Sequence, residues 1–301
     1  MSAYQAPLQP SLARRGIPRA ALERADPDLI TRAREDASTR VLVLHEDSAP
    51  LRAPEALRLV SAGDVPDGAA WALLGRDERG LVLAAVLGEG ADRPFEGDWG
   101  PLRIIGASLP ASDAELLVTA VSLGRWLRDG AFCPACGARC ELRMSGWMRS
   151  CPRCGREHFP RTDPAVIVAI DSASDPHRLL LGANAAWGGL RYSCFAGFVE
   201  AGESLEAAVE RELAEEANVR LTDIRYRGSQ AWPYPRSLML GFRATAVDDD
   251  EVLPDGDEIV SVRWLTREEI GAGLRGEGDI GLPGPASIAH SLIAEWYAER
   301  T

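Results

Sequence analysis

Two groups of residues in this sequence have the types and spacing of chemical sites. The first is Cys133-x2-Cys136 followed, after fourteen residues, by Cys151-x2-Cys154. Two short knuckles joined by a hairpin of that length bring four soft, ionised thiolates into the tetrahedron zinc prefers. Such a site is closed, so it holds structure and offers no position to a substrate. Gly137 and Gly155 each follow a knuckle's second cysteine, where a tight turn favours positive φ. A redox C-x-x-C pair or unrelated buried thiols are the alternatives. Cys140 and His158 lie near enough to compete as ligands, while Cys194, alone in an apolar stretch, reads as a buried structural thiol.

The second group is made of carboxylates. Over residues 204–217 the spacing predicts a helix: Leu205, Ala208, Val209 and Leu213 form one stripe suited to packing on a sheet, and Glu212, Glu215 and Glu216, at i, i+3 and i+4, share another face. Three like charges on one face repel unless a cation neutralises them. Hard oxygen ligands select Mg²⁺ or Mn²⁺, ions that suit polyphosphate substrates. A solvated acidic helix is the alternative.

These sites need elements to position them. Residues 1–40, with Pro7, Pro10, Pro18 and Pro27, read as an irregular lead-in, and the short apolar runs 41–44, 70–74 and 81–87 as a small β-rich domain. A helix follows from Ser112, with Leu116, Ala120, Leu123 and Leu127 in phase. Ser112 and Glu115 would form a capping box there, Gly130 a stop, and Gly124 a weak point in the interior. Beyond Pro160, strand-like runs (165–170, 179–181, 238–246, 259–265) alternate with helical ones (204–217, 286–299), the mark of a mixed α/β (α+β) domain. The expected organisation is a β-rich domain ending in a helix (1–130), a zinc ribbon (131–160) and the mixed domain (161–301).

Composition bounds the chemistry. The 301 residues carry 33 basic groups against 45 acidic ones, a net charge of −12, and every basic group is arginine. Without lysine there is no P-loop lysine, no Schiff base to pyridoxal phosphate and no Ser-Lys dyad. The first thirty residues hold no continuous apolar stretch, and the run 81–87 is far short of the ~20 residues that span a bilayer, so a cytoplasmic protein is expected. The acidic total argues against a general nucleic-acid coat. Residues 131–161 nevertheless hold six arginines (139, 143, 149, 153, 156, 161) against Glu141 and Glu157, a modest positive surface compatible with RNA or simply with solubility.

The carboxylate stretch, Gly197-x5-Glu203-x7-Arg211-Glu212-Leu213-x-Glu215-Glu216-x-Asn218-Val219, resembles the Nudix box G-x5-E-x7-R-E-U-x-E-E-x-G-U, where U is aliphatic. It departs at Asn218, where the family has glycine; a helix C-terminus there needs a left-handed residue, and asparagine is the usual second choice. The resemblance implies a Nudix fold, a mixed sheet sandwiched by helices, and metal-assisted attack of water on a diphosphate linked to another moiety. It also implies Glu212, Glu215 and Glu216 as catalytic metal ligands. Arg211 is counted with them, bracing the loop and helix together with Glu203. Which glutamate accepts the proton stays open.

After the box, Ser229-Gln-Ala-Trp-Pro-Tyr-Pro-Arg-Ser237 resembles the SQPWPFPxS signature of NADH pyrophosphatases, with Ala231 replacing a proline and Tyr234 a phenylalanine. That branch also carries a zinc ribbon before the domain. By this resemblance Gln230, Ala231, Trp232, Pro233, Tyr234, Pro235, Arg236 and Ser237 wall a dinucleotide pocket. Phe198 stacks on the nicotinamide, and Glu258 and the Ala196 carbonyl complete the Mg²⁺ or Mn²⁺ site. A rigid turn packing Trp232 into the core is the alternative. No G-x-G-x-x-G follows a strand, so the dinucleotide would be a substrate and not a hydride carrier. The implied protein is a homodimer with one structural zinc per chain that cleaves NAD(H) to NMN(H) and AMP and removes NAD caps from RNA 5′ ends. Rival readings are a Nudix enzyme for ADP-ribose or a diadenosine polyphosphate, and a zinc-ribbon nucleic-acid-binding protein with a degenerate Nudix module. The intact carboxylate set speaks against the last.

Overall fold

The computed structural model describes residues 6–188, 191–250 and 252–299. Two compact units emerge: a ribbon unit of Arg14–Thr162 with Trp232–Arg236, and a carboxylate unit holding the remaining described chain. No helix among the described residues is long and apolar enough to cross a membrane.

In the ribbon unit the apolar runs form strands β1 (Arg40–Leu44), β2 (Ala70–Asp77) and β3 (Gly80–Val86) in the order β1-β3-β2, with β1 parallel and β2 antiparallel to β3. Ser48–Ala53, Ala56–Leu57 and Trp99–Pro101 make a second small sheet. Helix α1 (Ala111–Asp129) buries Leu116, Leu117, Val121 and Leu123. The expected capping box does not form. The helix begins one residue earlier, after Pro110, whose ring fixes φ at −54°, and Glu115 turns instead to Arg19 at 3.5 Å. Gly124 gains a reason: a Cβ there would stand 2.5 Å from Leu44 Cδ2, so glycine lets α1 lie close on β1. The lead-in is less irregular than expected, since Leu29–Glu35 is a helix burying Leu29 and Ala33. The ribbon itself is a three-stranded antiparallel sheet of β4 (Glu141–Arg143), β5 (Met148–Ser150) and β6 (Glu157–His158).

The carboxylate unit is a six-stranded mixed sheet built from β7 (Asp163–Asp171), β8 (Arg178–Asn184), β9 (Phe195–Phe198), β10 (Leu221–Trp232), β11 (Ser237–Ala246) and β12 (Ile259–Thr266). The order is β10-β11-β7-β8-β12, with β9 also paired to β7; β7 runs parallel to β11 and antiparallel to β8 and β9. Alternation along β7 decides the layers. Val166, Val168 and Ile170 pack with Ala208, Val209 and Leu213 of helix α2 (Leu205–Ala217), while Ile167 and Ala169 pack with Ile270 of α3 (Arg267–Leu274) and with Leu292, Ile293 and Trp296 of α4 (Ile288–Ala298). The expected sheet between helices is therefore present. Strand β10 was not expected, because LTDIRYRGSQAW lacks the apolar run that marked the others.

With no lysine, charge inside this unit is handled by guanidinium forks, whose planar donors match both oxygens of a carboxylate. Arg243 binds both oxygens of Asp171 at 2.8 and 2.9 Å, and Arg227, nearly fully buried, reaches Glu295 of α4 at 3.0 Å.

Candidate active site and zinc centre

The four ribbon thiols converge. Sγ–Sγ separations are 3.7 Å for Cys133–Cys154, 3.5 Å for Cys136–Cys151 and 3.7 Å for Cys136–Cys154. Four sulfurs at tetrahedral zinc–sulfur bonds of ~2.3 Å would lie about 3.8 Å apart, so the donor set fits zinc in both type and size. The knuckles close as expected: Gly137 and Gly155 each have φ +72°, and their N–H groups donate to the carbonyls of Cys133 and Cys151 at 2.8 and 2.9 Å. The backbone N–H of Cys154, aimed at the Cys151 sulfur, draws that thiol down, while the thiol of Cys136 in contact with it is pushed up. Cys140 and His158 gather with Cys133 in a second set whose ligand atoms lie within 4.8 Å of one another. Cys133 is shared with the four-thiol group. Cys194 is buried, and burial pushes its thiol up to about 12, as suits an inert core residue.

Helix α2 carries the carboxylates. Ser204 Oγ accepts from Ala207 N at 3.2 Å to open the helix, and Asn218 closes it with φ +54° and ψ +35°, the left-handed geometry expected of the residue standing for glycine. Gly197 on β9 is equally specific: a Cβ there would fall 1.9 Å from Glu212 Cδ, so glycine is what lets this carboxylate lie against the strand.

Arg211 organises the charges. Its Nε and Nη2 take both oxygens of Glu203 at 2.9 and 3.0 Å, Nη2 also donates to the Phe198 carbonyl at 2.9 Å, and Nη1 reaches Glu212 at 2.9 Å and Glu215 at 3.3 Å. Glu203 further accepts from Glu200 N at 3.0 Å. One guanidinium thus ties loop, strand and helix together. The bond to Arg211 holds the Glu203 carboxyl below its usual range. Burial raises Glu212 despite the same arginine.

Glu216 differs from its neighbours. It is 5% exposed, and its Oε2 is buried without a hydrogen-bond partner. Burial first, then the charges of Glu258 and Glu212, push its carboxyl up to about 8. A buried carboxylate facing other carboxylates is costly unless a cation joins them, so an orphaned oxygen in this setting fits a divalent-ion ligand. Glu216 and Glu258 line a cavity of about 150 Å³ together with Asn184, Ser193, Phe195 and Ala196. Glu215 is mostly exposed at the rim, and half of the Phe198 ring is open to solvent.

The residues expected to wall a dinucleotide pocket are divided between the units. Gln230 is fully buried, its Nε2 donating to the Ala286 carbonyl at 3.0 Å, and Ser237 is buried as well. In the ribbon unit, Trp232 and Tyr234 meet edge to face with centroids 5.0 Å apart, and Pro233 is buried between them in sequence. The Tyr234 hydroxyl donates to Asp47 at 3.0 Å while Arg103 covers its ring at 3.7 Å. Pro235 and Arg236 are exposed beside a cavity of about 250 Å³ shared with Trp126, Phe132, His158 and Phe159. Sequence reasoning did not anticipate Asp47, Arg103 or Asn184, since no local pattern marks any of them.

Three family models match consecutive stretches of this chain: an NADH pyrophosphatase-like rudimentary NUDIX domain over residues 28–126, an NADH pyrophosphatase zinc ribbon domain over 128–159 and a NUDIX domain over 161–282. A Mycobacterium tuberculosis protein named NAD-capped RNA hydrolase NudC is 39% identical over 235 residues, covering 75% of this chain and 74% of its own. The chain belongs to the NADH pyrophosphatase family of Nudix hydrolases. A Pseudomonas aeruginosa relative of the same name is 36% identical over 203 residues, 67% of this chain and 68% of that one. A Nudix hydrolase crystal structure from Nitrosomonas europaea aligns with TM-score 0.43 and 28% identity over 56% of this chain and 91% of that chain. In this Nudix hydrolase the zinc-ribbon match falls on the segment that gathers the four cysteines, and the NUDIX match spans helix α2 with its carboxylates.

Proposed function

We infer that this hydrolase cleaves the pyrophosphate bond of NAD(H), adding water to give NMN(H) and AMP, and removes NAD caps from RNA 5′ ends by the same chemistry. Mg²⁺ or Mn²⁺ would be held by Glu212, Glu215, Glu216, Glu258 and the Ala196 carbonyl. The observation that carries this reading is the buried, unpartnered carboxylate of Glu216 beside Glu258. When bound, the divalent ion lowers the pKa of water and neutralises charge on the phosphates. The chain's own residues do the rest. Arg211 holds Glu212 in place from one side and fixes the Phe198 carbonyl from the other, so the half-exposed Phe198 ring is presented for stacking on a flat base. Gly197 keeps space for the Glu212 carboxylate. Zinc on Cys133, Cys136, Cys151 and Cys154 holds the ribbon and takes no part in the reaction.

Capped RNA is supported by residue types in the ribbon unit. Phe132 and Phe159 are at least half exposed, and Arg125, Arg161 and Arg236 line the same cavity, a combination that stacks bases and pairs with phosphates. A homodimer and a cytoplasmic location complete the reading; five ribbon thiols without a disulfide suit a reducing compartment. The test is a hydrolysis panel with Mg²⁺ comprising NADH, NAD⁺, ADP-ribose, diadenosine polyphosphates and NAD-capped RNA. NADH or NAD-capped RNA should be preferred, and preference for ADP-ribose would overturn the substrate assignment. Light scattering should give twice the chain mass.

A further inference from the structure

The carboxylates of the metal site are held in two different ways. On the helix side, Arg211 grips Glu203, Glu212 and Glu215 with a full positive charge. In the cavity that Glu216 also lines, Glu258 Oε1 accepts from a neutral donor, the Nδ2 of Asn184, at 3.2 Å.

The orientation of that amide is fixed independently. Asn184 Oδ1 accepts from Ala186 N at 2.9 Å, capping the short turn Ala185–Trp187, so the NH₂ end must face Glu258. The backbone reinforces the pairing, since Ala185 N donates to the Glu258 carbonyl at 2.9 Å. The β8–β12 register shifts between Ala183 and Asn184, an irregularity of the kind that re-aims a side chain at a strand end. Both residues line the cavity that contains Glu216. An amide suits this place better than a second arginine would: it orients a carboxylate without cancelling its charge, leaving the full anion for a cation.

We propose that Asn184 is a positioning residue for the divalent-metal site, holding the Glu258 carboxylate in the cavity it shares with Glu216 with Nδ2 while Oδ1 fixes the amide on the following turn. This rests on Glu258 being a metal ligand, and the experiment separates the two claims. Mn²⁺ affinity of the full chain is measured by titration calorimetry for the wild type, Asn184→Ser, Asn184→Ala and Glu258→Gln, beside the metal-free melting temperature and the Mn²⁺ dependence of NADH hydrolysis. Serine retains an acceptor for Ala186 N and loses the donor to Glu258. Asn184→Ser should weaken Mn²⁺ binding about tenfold, as outer partners of metal ligands do. The Mn²⁺ needed for half-maximal rate should rise by the same factor, with kcat recovered at saturating metal and the metal-free melting temperature unchanged. Asn184→Ala should lose the same affinity and also melt earlier. Wild-type Mn²⁺ affinity in Asn184→Ser while Glu258→Gln binds weakly would overturn the role of Asn184. A loss in Asn184→Ser that comes with earlier melting would assign the effect to the cap and overturn it too. Wild-type affinity in Glu258→Gln would instead overturn the ligand reading beneath it.

Discussion

The cysteine ribbon and the carboxylate helix both gather side chains of types that ligate metals, and they do so in opposite ways. The four thiols come from two neighbouring knuckles and close to within 4.8 Å of one another. Among the described residues no carboxylate group gathers so closely. Glu212, Glu215 and Glu216 stand on α2, Glu258 comes from the approach to β12, and Arg211 is interposed as an internal counter-cation. A site that only has to hold a fold can satisfy every ligand at once. A site proposed to take up an ion and a substrate leaves an acceptor unpartnered, here Oε2 of Glu216.

The largest effect that could break this contrast is on the ribbon. Its buried cluster consists of Cys133, Cys140 and Cys151, so metal is its core, and structural zinc contributes on the order of 10 kcal/mol. Cys151→Ser should abolish stoichiometric zinc by elemental analysis and remove hydrogen-exchange protection from the hairpin 133–158. Retained protection without zinc would show that the ribbon is not metal-built.

Glu216→Gln should do the reverse. Activity should fall by about 100-fold or more, as several kcal/mol of metal-borne charge stabilisation is lost, while the metal-free protein becomes more stable. The pH dependence follows from the same residue. Its carboxyl titrates at about 8 in the folded chain against an ordinary 4.5, so the folded state keeps a proton that the unfolded state releases between those values. The contribution is present at low pH and lost as pH rises, so the metal-free melting temperature should fall between about pH 5 and pH 8. Mg²⁺ should reverse the fall and Glu216→Gln should flatten it. A melting temperature that rises over this range in a Glu216-dependent way would contradict the burial argument.

Leu213 lies one residue from Glu212 and faces the opposite way, fully buried against the sheet. Leu213→Ala should cost about 2–5 kcal/mol in denaturant unfolding, with Mn²⁺ affinity kept at temperatures where the protein is folded. The smallest effect belongs to Cys140→Ala, expected to keep one zinc per chain and to shift stability by about 1 kcal/mol. Loss of zinc there would move Cys140 into the primary ligand set.

Much of this was legible in the sequence because the informative residues are local. The knuckles and the i, i+3, i+4 glutamates declare themselves within a few turns, and the apolar runs of β1, β3, β7 and β8 fall where alternation or continuous burial put them. Asn218 could be read as a left-handed cap because few residues tolerate that geometry. What escaped depends on distant partners. Strand β10 is polar and pairs with β11; Glu115 abandons the local cap for Arg19, 96 residues away in sequence; and Asn184 matters only because Glu258 arrives beside it. Gly124 weakens the helix by propensity alone, and only the distant Leu44 beneath it accounts for a glycine there.

The most direct test of the division of labour is NADH hydrolysis by zinc-replete, Mg²⁺-free protein, before and after Mg²⁺ is added, with zinc content measured alongside. One zinc per chain is expected throughout, with no NMNH or AMP until Mg²⁺ is present and little product from Glu216→Gln at any Mg²⁺ concentration. Full turnover on zinc alone, or wild-type turnover by Glu216→Gln, would contradict it.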